Sequence, residues 1–144
     1  MYARILVPTD GSACSDLAIG HGVAIARAMG STVTFLFVMD TLGARYEGVV
    51  NMAEARDALT AQGQAIVRRA EETAADADVR AVGELIEGTP ADAIASRSAD
   101  FDLVVMGSHG KGLLKRLTVG SVTEAVLHRI ARPLLLVRCP EERG

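Results

Sequence analysis

The sequence predicts an α/β protein, a single domain built on an open, parallel five-stranded sheet with helices on both faces. Short apolar runs alternate with longer helical patterns in the order βαβαβαβαβ. Strands separated by helices pair in parallel through right-handed crossovers. The chain has 144 residues and a mass of 15.1 kDa, so we expect one domain over residues 1–144.

The first half of the chain supplies two strands and two helices. RILVP (Arg4–Pro8) is a short predicted strand, and TVTFLFVMD (Thr32–Asp40) is a second, rich in β-branched and aromatic residues. Apolar residues recur at helical spacing between them, and Gly30 supplies the expected helix end. A loop is expected from Thr41 to Asn51, followed by a long amphipathic helix from about Met52 to Ala75.

The second half supplies three strands and two helices. VRAVGELIEG (Val79–Gly88) is a predicted strand, and Pro90 suits the first turn of a helix that ends near Ala99. LVVMG (Leu103–Gly107) lacks alternation, as expected of a strand that is covered on both faces. PLLLVR (Pro133–Arg138) is the last strand. The last helix precedes it and is marked by the apolar residues Val122, Ala125, Val126 and Ile130.

Composition and charge exclude several classes of function. A net charge of −3 and a pI near 5.6 give no overall attraction to nucleic acid or to an anionic membrane. Aromatic residues make up only 3% of the chain, which disfavours stacking on single-stranded bases. No signal peptide pattern and no run of roughly 20 apolar residues is found. We therefore expect a cytoplasmic protein without nucleic-acid binding or membrane insertion.

The two cysteines, Cys14 and Cys139, lie far apart in the sequence and show no metal-ligand spacing. This favours two free thiols in a reducing compartment. A disulfide would require a fold that brings both side chains together.

The stretch GSHGKGLLKRLTVGS, Gly107 to Ser121, lies between the fourth strand and the last helix and has the form G-x-x-G-x9-G-S. Ligands of open parallel sheets bind beyond the carboxyl ends of the strands. Glycine lets a ligand approach the backbone, and a helix N-terminus attracts negative charge. We therefore predict a phosphate site that uses the amides of Gly107, Gly110 and Gly120. Three basic residues can add charge there: Lys111, Lys115 and Arg116.

Simpler interpretations of this stretch remain open. Ser121 and Glu124 match an S-x-x-E capping box, so capping of its own helix can be the sole role of the serine. The basic residues can equally be solvated residues on the loop surface.

Two other nucleotide-binding motifs are absent from the sequence. The stretch G-K-[ST] does not occur at Gly112, which excludes a P-loop. No G-x-G-x-x-G follows the first strand, which disfavours a dinucleotide-binding dehydrogenase.

The stretch G-S-H-G followed nine residues later by G-S, with VPTDGS opening the chain and LLLVR closing it, resembles the ATP-binding branch of the universal stress proteins. The resemblance covers essentially the whole chain. It implies a Rossmann-like sheet of the adenine nucleotide alpha hydrolase type, and ATP, together with Mg²⁺, as the ligand.

The resemblance also implies which residues bind the nucleotide. Ribose and phosphates would be held by Gly107, Gly110, Gly120 and Ser121. Pro8, Thr9 and Asp10 would lie along the nucleoside, with the carboxylate near the ribose or a metal, and the main chain of Val38 would recognise adenine. Met106 and Val122, which flank the glycines, complete the predicted set. Asp10 also has an ordinary interpretation, because Asp-Gly-Ser is common in turns and helix caps.

Three functions follow as hypotheses. The first is a nucleotide-responsive regulator of stress response or survival with at most slow ATP hydrolysis, in which the Thr41–Asn51 loop or the surface changes when ATP is bound. An unidentified protein partner belongs to this hypothesis. The second is an ATPase or nucleotidyl-transferring enzyme; His109 is the one histidine placed to act there, and we assign it no catalytic role. The third is a dimeric scaffold without nucleotide. The apolar last strand, Pro133 to Arg138, predicts a homodimer if it lies at a sheet edge, and the resemblance implies the same.

Overall fold

The protein is described by a computed structural model over residues 1–48, 51–109 and 120–140. The strands are β1 (Arg4–Pro8), β2 (Thr32–Met39), β3 (Ala81–Glu87), β4 (Leu103–Gly107) and β5 (Leu134–Val137). The helices are α1 (Ala13–Met29), α2 (Thr41–Tyr46), α3 (Met52–Asp76), α4 (Pro90–Ser98) and α5 (Ser121–Arg129).

The five strands form one parallel sheet in the order β3-β2-β1-β4-β5, so the predicted fold class is confirmed. β1 lies at the centre, with β2 on one side and β4 on the other. The sheet order therefore changes direction between β1 and β4. Crevices at such a point, beyond the carboxyl ends of the strands, are the usual ligand sites of open α/β sheets.

Two apolar cores cover the two faces of the sheet. On one face α1 and α3 pack against residues such as Val7, Phe35 and Val105. On the other face α4 and α5 pack against residues such as Leu6 and Met106. Successive side chains of the central strands point into opposite cores, and both sets are buried. The sequence of β4 is therefore continuously apolar instead of alternating.

Helix ends follow the predicted chemistry at several places. Ser12 caps α1 by accepting a hydrogen bond from the Ser15 amide, and Gly30 ends that helix with φ of 69°, in the left-handed region. Asn51 caps α3 by accepting from the Glu54 amide at 3.0 Å. Pro90 occupies the first turn of α4.

The expected loop from Thr41 to Asn51 is partly wrong, because its first six residues form the short helix α2. Asp40 caps this helix by accepting a hydrogen bond from the Gly43 amide at 2.7 Å. A six-residue helix is too short to show a periodic apolar pattern. The buried face of the amphipathic helix α3 consists of Gly63, Ile66, Val67, Ala70 and Ala74. Within the described part of the chain, no helix combines the length and apolarity needed to cross a membrane.

Candidate functional site

A cleft opens at the carboxyl ends of β1, β2 and β4, where the sheet order changes direction. Its empty volume, counting the open mouth, is about 620 Å³. The cleft is lined by Pro8, Thr9, Asp10, Ser15, Leu36, Val38, Pro90, Ile94, Met106, Gly107, His109, Val122 and Thr123.

The floor and one wall of the cleft are apolar. Leu36 and Met106 are buried at the ends of β2 and β4, and Ile94 of α4 is buried beside them. Pro90 adds a rigid apolar surface at the start of α4. These residues form an apolar surface against which a flat or bulky apolar group of a ligand can pack.

The backbone of Val38 faces the side of the cleft beyond the end of β1. Pairing between β1 and β2 ends at Pro8 and Leu36, and the Thr9 amide donates to the Leu36 carbonyl at 2.8 Å. In a strand, alternate residues direct their backbone groups to the same side. The amide and carbonyl of Val38, two residues after Leu36, therefore point to the side where β1 has already turned away.

The turn after β1 places a carboxylate at the cleft. An oxygen of Asp10 accepts a hydrogen bond from the Ser12 amide at 2.9 Å, so the turn role that the sequence allowed is present. Ser12 in turn caps α1. The buried hydroxyls of Thr9 and Ser15 lie 3.2 Å apart and join the turn to the first turn of α1. This network fixes the position of the Asp10 carboxylate relative to the strand end.

Gly107 is required by packing against α1. A Cβ atom at Gly107 would lie 2.6 Å from the sulfur of Cys14 and 3.1 Å from its carbonyl oxygen. We expected a glycine here so that a ligand can approach the backbone. The packing of α1 requires a glycine at this position in any case. Its carbonyl also accepts a hydrogen bond from the buried Thr123 hydroxyl at 3.0 Å, which ties β4 to α5.

The N-terminus of α5 differs in detail from the prediction. Gly120 is the N-cap, and its amide donates to the Ser108 carbonyl at 2.7 Å, so this amide is already engaged. Ser121 is the first helical residue, is exposed and makes no side-chain cap bond. The capping-box interpretation is therefore wrong. The first intrahelical bond runs from Glu124 to Gly120, so the amides of residues 121–123 have no partner within the helix.

Seven of the ten predicted site residues line the cleft: Pro8, Thr9, Asp10, Val38, Met106, Gly107 and Val122. Gly120 and Ser121 lie immediately before Val122. Gly110, Lys111, Lys115 and Arg116 lie outside the described residues, and no position is given to them. Sequence reasoning missed Ser15, Leu36, Pro90, Ile94 and Thr123 as lining residues, because each belongs to an ordinary helix or strand pattern and only the sheet order brings it to the cleft.

The two cysteines are joined in a disulfide, with Cα atoms 5.5 Å apart. The prediction of two free thiols is therefore wrong. Cys14 is the second residue of α1 and Cys139 follows β5, and α1 packs against both β4 and β5. The two cysteines are 125 positions apart in the sequence, so no local pattern could predict that they meet.

Comparison with known proteins identifies close relatives over nearly the whole chain. The family model described as "Universal stress protein family" matches residues 1–138. The universal stress protein MJ0531 of Methanocaldococcus jannaschii is 32% identical, with 99% of this chain and 85% of the relative covered. A universal stress protein of Methanothermobacter thermautotrophicus is 34% identical, with 96% and 97% covered.

Solved structures agree with this result. The structure of the MJ0577 protein of Methanocaldococcus jannaschii superposes with a TM-score of 0.88 and 29% identity, and 99% of each chain is covered. The universal stress protein UspA of Lactobacillus plantarum superposes with a TM-score of 0.84 and 25% identity, covering 95% of this chain and 98% of that one.

Proposed function

The chain belongs to the universal stress protein family, and from this premise we propose that it binds ATP, together with Mg²⁺, in the cleft and acts as a nucleotide-responsive regulator of stress response or survival. The observation that carries the proposal is the composition of the cleft. An apolar wall, an exposed strand backbone, a carboxylate and the open end of a helix meet there. Each matches one part of an adenine nucleotide.

The base would lie against the apolar wall formed by Leu36, Ile94 and Met106. The backbone amide and carbonyl of Val38 point to the side beyond the end of β1, where they can bond the edge of an adenine ring. A donor and an acceptor side by side on one backbone residue suit adenine, whose edge presents both kinds of group. This pairing favours adenine over an unspecific apolar ligand.

The ribose and phosphates would lie between Asp10 and the start of α5. The carboxylate is held by the Ser12 amide and can accept from a ribose hydroxyl or bind a magnesium ion. The amides of residues 121–123 and the dipole of α5 attract phosphate oxygens. Gly110 and the basic residues after it remain part of the proposed phosphate site.

Two proteins of the same fold are described with a bound nucleotide. One solved universal stress protein is described in complex with cAMP and one from Arabidopsis thaliana with AMP bound. Their identities with this chain are 24% and 15%, so the likeness concerns the fold alone. The choice of ATP rests on the glycine stretch and on the cleft of this chain.

We also propose a homodimer formed through β5. This strand is at the sheet edge, with Leu135 36% exposed, and an apolar edge strand offers both unpaired backbone and apolar side chains to a second copy. Leu127 of α5 is a further exposed apolar residue, and it does not line the cleft. A two-fold pairing would cover this surface in both copies at once.

The test begins with protein purified without added nucleotide, denatured and analysed for released small molecules by chromatography and mass spectrometry. We expect about one ATP per chain, or stoichiometric uptake of Mg·ATP by calorimetry. ADP or AMP in its place, with turnover near an ordinary enzyme's rate, would favour the enzyme hypothesis. A protein that is empty and binds no Mg·ATP would reject the proposal and favour the scaffold.

A single charge tests where the phosphates lie. Ser121→Asp places a negative charge at the open end of α5, where it should weaken ATP binding by at least about tenfold because like charges repel. The same change should leave the fold intact, since an acidic residue in the first turn of a helix is favourable by about 0.3–1 kcal/mol. Gln64→Glu adds the same charge on the exposed face of α3 and serves as the control. Equal ATP affinity in both variants would place the phosphates elsewhere.

A regulator also needs two conformations with different affinities for the nucleotide. Helix α2 begins three residues after Val38 and is held at the surface by the Thr41 hydroxyl, which donates to Glu87 at 2.8 Å. We expect hydrogen exchange of α2 to slow when Mg·ATP is added. Unchanged exchange throughout the chain at saturating nucleotide would argue against a switch while leaving binding itself unaffected.

A further inference from the structure

A group of three metal-ligating side chains lies beside the cleft. The sulfurs of Cys14 and Cys139 and a ring nitrogen of His109 all lie within 4.8 Å of one another. Cys14 is buried, whereas Cys139 and His109 are partly buried. The three residues come from α1 and from the segments that follow β4 and β5, two strands that pair with each other, so the sheet itself assembles the group.

We propose that the reduced form of this group is a zinc site, in which the Cys14 and Cys139 thiolates and the His109 imidazole bind one Zn²⁺. Zinc prefers thiolate and imidazole ligands and is usually four-coordinate. The fourth position would be taken by water, because the group supplies three ligands. This inference does not depend on nucleotide binding.

The distances suit a small tetrahedral ion once the disulfide is opened. Zn–S bonds of about 2.3 Å require two thiolates roughly 3.8 Å apart, and Zn–N bonds are about 2.0–2.1 Å. The Cα atoms of the two cysteines are 5.5 Å apart, so rotation of the side chains can separate the sulfurs without moving the strands. His109 already lies within reach of both sulfurs.

Neighbouring residues hold the three ligand side chains in position, and the start of α1 stabilises a negative charge on the Cys14 sulfur. Cys14 is the second residue of α1, near the positive end of the helix dipole. The Cys139 amide is 3.4 Å from the Ser108 hydroxyl, and the Ser108 amide donates to the Val137 carbonyl at 2.9 Å. These bonds hold the segments before His109 and Cys139 side by side.

The disulfide and the zinc site are alternative states of the same sulfurs. Reduction by a dithiol breaks the S–S bond, adds two electrons and two protons to the cysteines, and converts the dithiol to its own disulfide. Binding of Zn²⁺ then releases the two thiol protons to solvent. The group would therefore hold metal only under reducing conditions. Exchange with an oxidised dithiol would pass two electrons and two protons to that disulfide, re-form the bond between Cys14 and Cys139 and expel the ion.

The test uses the full chain reduced with a dithiol, freed from excess reductant under anaerobic conditions and titrated with Co²⁺ as a spectroscopic probe. We expect one Co²⁺ per chain, a thiolate-to-cobalt charge-transfer band and displacement of the cobalt by Zn²⁺. Zinc binding should release up to two protons per ion. The disulfide form should give no band.

Three single substitutions test which side chains bind the metal ion. Cys139→Ser should abolish the charge-transfer pattern of two thiolates, and His109→Ala should weaken zinc binding by at least about tenfold. His21→Ala removes an exposed histidine of α1 and should bind as the unchanged chain does. A reduced chain without the band, a Cys139→Ser variant that keeps it, or equal metal binding by the disulfide form would each overturn the proposal. Circular dichroism of every variant excludes loss of fold as the cause.

Discussion

The Thr123 hydroxyl donates a hydrogen bond to the Gly107 carbonyl at 3.0 Å, and both residues are buried. This bond joins the end of β4 to the first turn of α5 beside the cleft. Two cleft-lining elements are thereby held at a fixed separation, although the two bonded residues are 16 positions apart in the sequence.

Thr123→Val keeps the shape of this side chain and removes its hydroxyl. We expect a loss of about 1–3 kcal/mol in the free energy of unfolding, because a buried carbonyl loses its partner. Thr123→Ser keeps the hydroxyl and should cost only about 0.8 kcal/mol for the lost methyl group. Urea denaturation measures both. A valine variant as stable as the original chain would show that the bond contributes nothing.

Gly107→Ala tests the close contact between β4 and α1. The added methyl group would lie 2.6 Å from the Cys14 sulfur, so we expect a loss of about 1–3 kcal/mol from overpacking. Gly20→Ala is the matched control, since nothing lies within 4 Å of a Cβ there and the residue is inside α1. That variant should gain about 0.5–1 kcal/mol. Thermal melts in which both variants shift in the same direction would contradict the packing argument.

The ion pair between Arg97 of α4 and Glu84 of β3 predicts a pH-dependent contribution to stability. The guanidinium donates to both carboxylate oxygens, at 2.8 and 2.7 Å, and also stacks over the Phe101 ring. The hydrogen bonds from Arg97 lower the pKa of Glu84 below its ordinary value of 4.5, while partial burial opposes this and raises it.

Because the folded-state pKa of Glu84 is depressed, its stabilising effect is full above pH 4.5 and is lost as the pH falls through the lower folded-state pKa. Glu84→Gln should therefore cost about 0.5–1 kcal/mol at pH 7, after allowance for solvent screening, and little once Glu84 is protonated in both states. Glu72→Gln, on the exposed face of α3, controls for net charge. A pH-independent difference between Glu84→Gln and the original chain would contradict this mechanism.

Leu135→Arg tests the proposed dimer. The charge should separate the two copies, because it would face its own symmetry mate across the paired β5 strands, and its partial exposure lets a monomer tolerate it. Leu17→Arg makes the same change on α1, where the leucine is 42% exposed, and should leave the assembly unchanged. Sedimentation velocity distinguishes monomer from dimer. A dimer that persists in Leu135→Arg would exclude β5 as the interface.

Much of the fold was predictable because its signals are local. The bounds of β1 and β4 agree with the predicted Arg4–Pro8 and Leu103–Gly107, and α3 ends one residue after the predicted Ala75. Periodic apolar residues, Gly30 and Pro90 each act through their own neighbours in the chain. Helix α2 escaped prediction because its one signal is the cap from Asp40 to Gly43, and a single cap resembles an ordinary turn.

The candidate site was predictable only in outline. The sequence indicated that residues at the carboxyl ends of strands converge, and Pro8, Thr9 and Gly107 do meet in the cleft. The roles of the glycines could not be predicted from the sequence. Position 107 needs a glycine because a side chain there would collide with Cys14, and the Gly120 amide donates to the Ser108 carbonyl. Both contacts join different elements of the fold.

Local patterns predicted the order and type of every element except α2, since periodicity, caps and breakers depend on neighbours a few residues away. The folded chain alone shows the strand order β3-β2-β1-β4-β5, the apolar wall of the cleft and the meeting of Cys14, Cys139 and His109. The physical reason is that strand order follows from the burial of whole faces of helices and sheet. That free energy is shared among distant residues, and no short stretch of the chain records it.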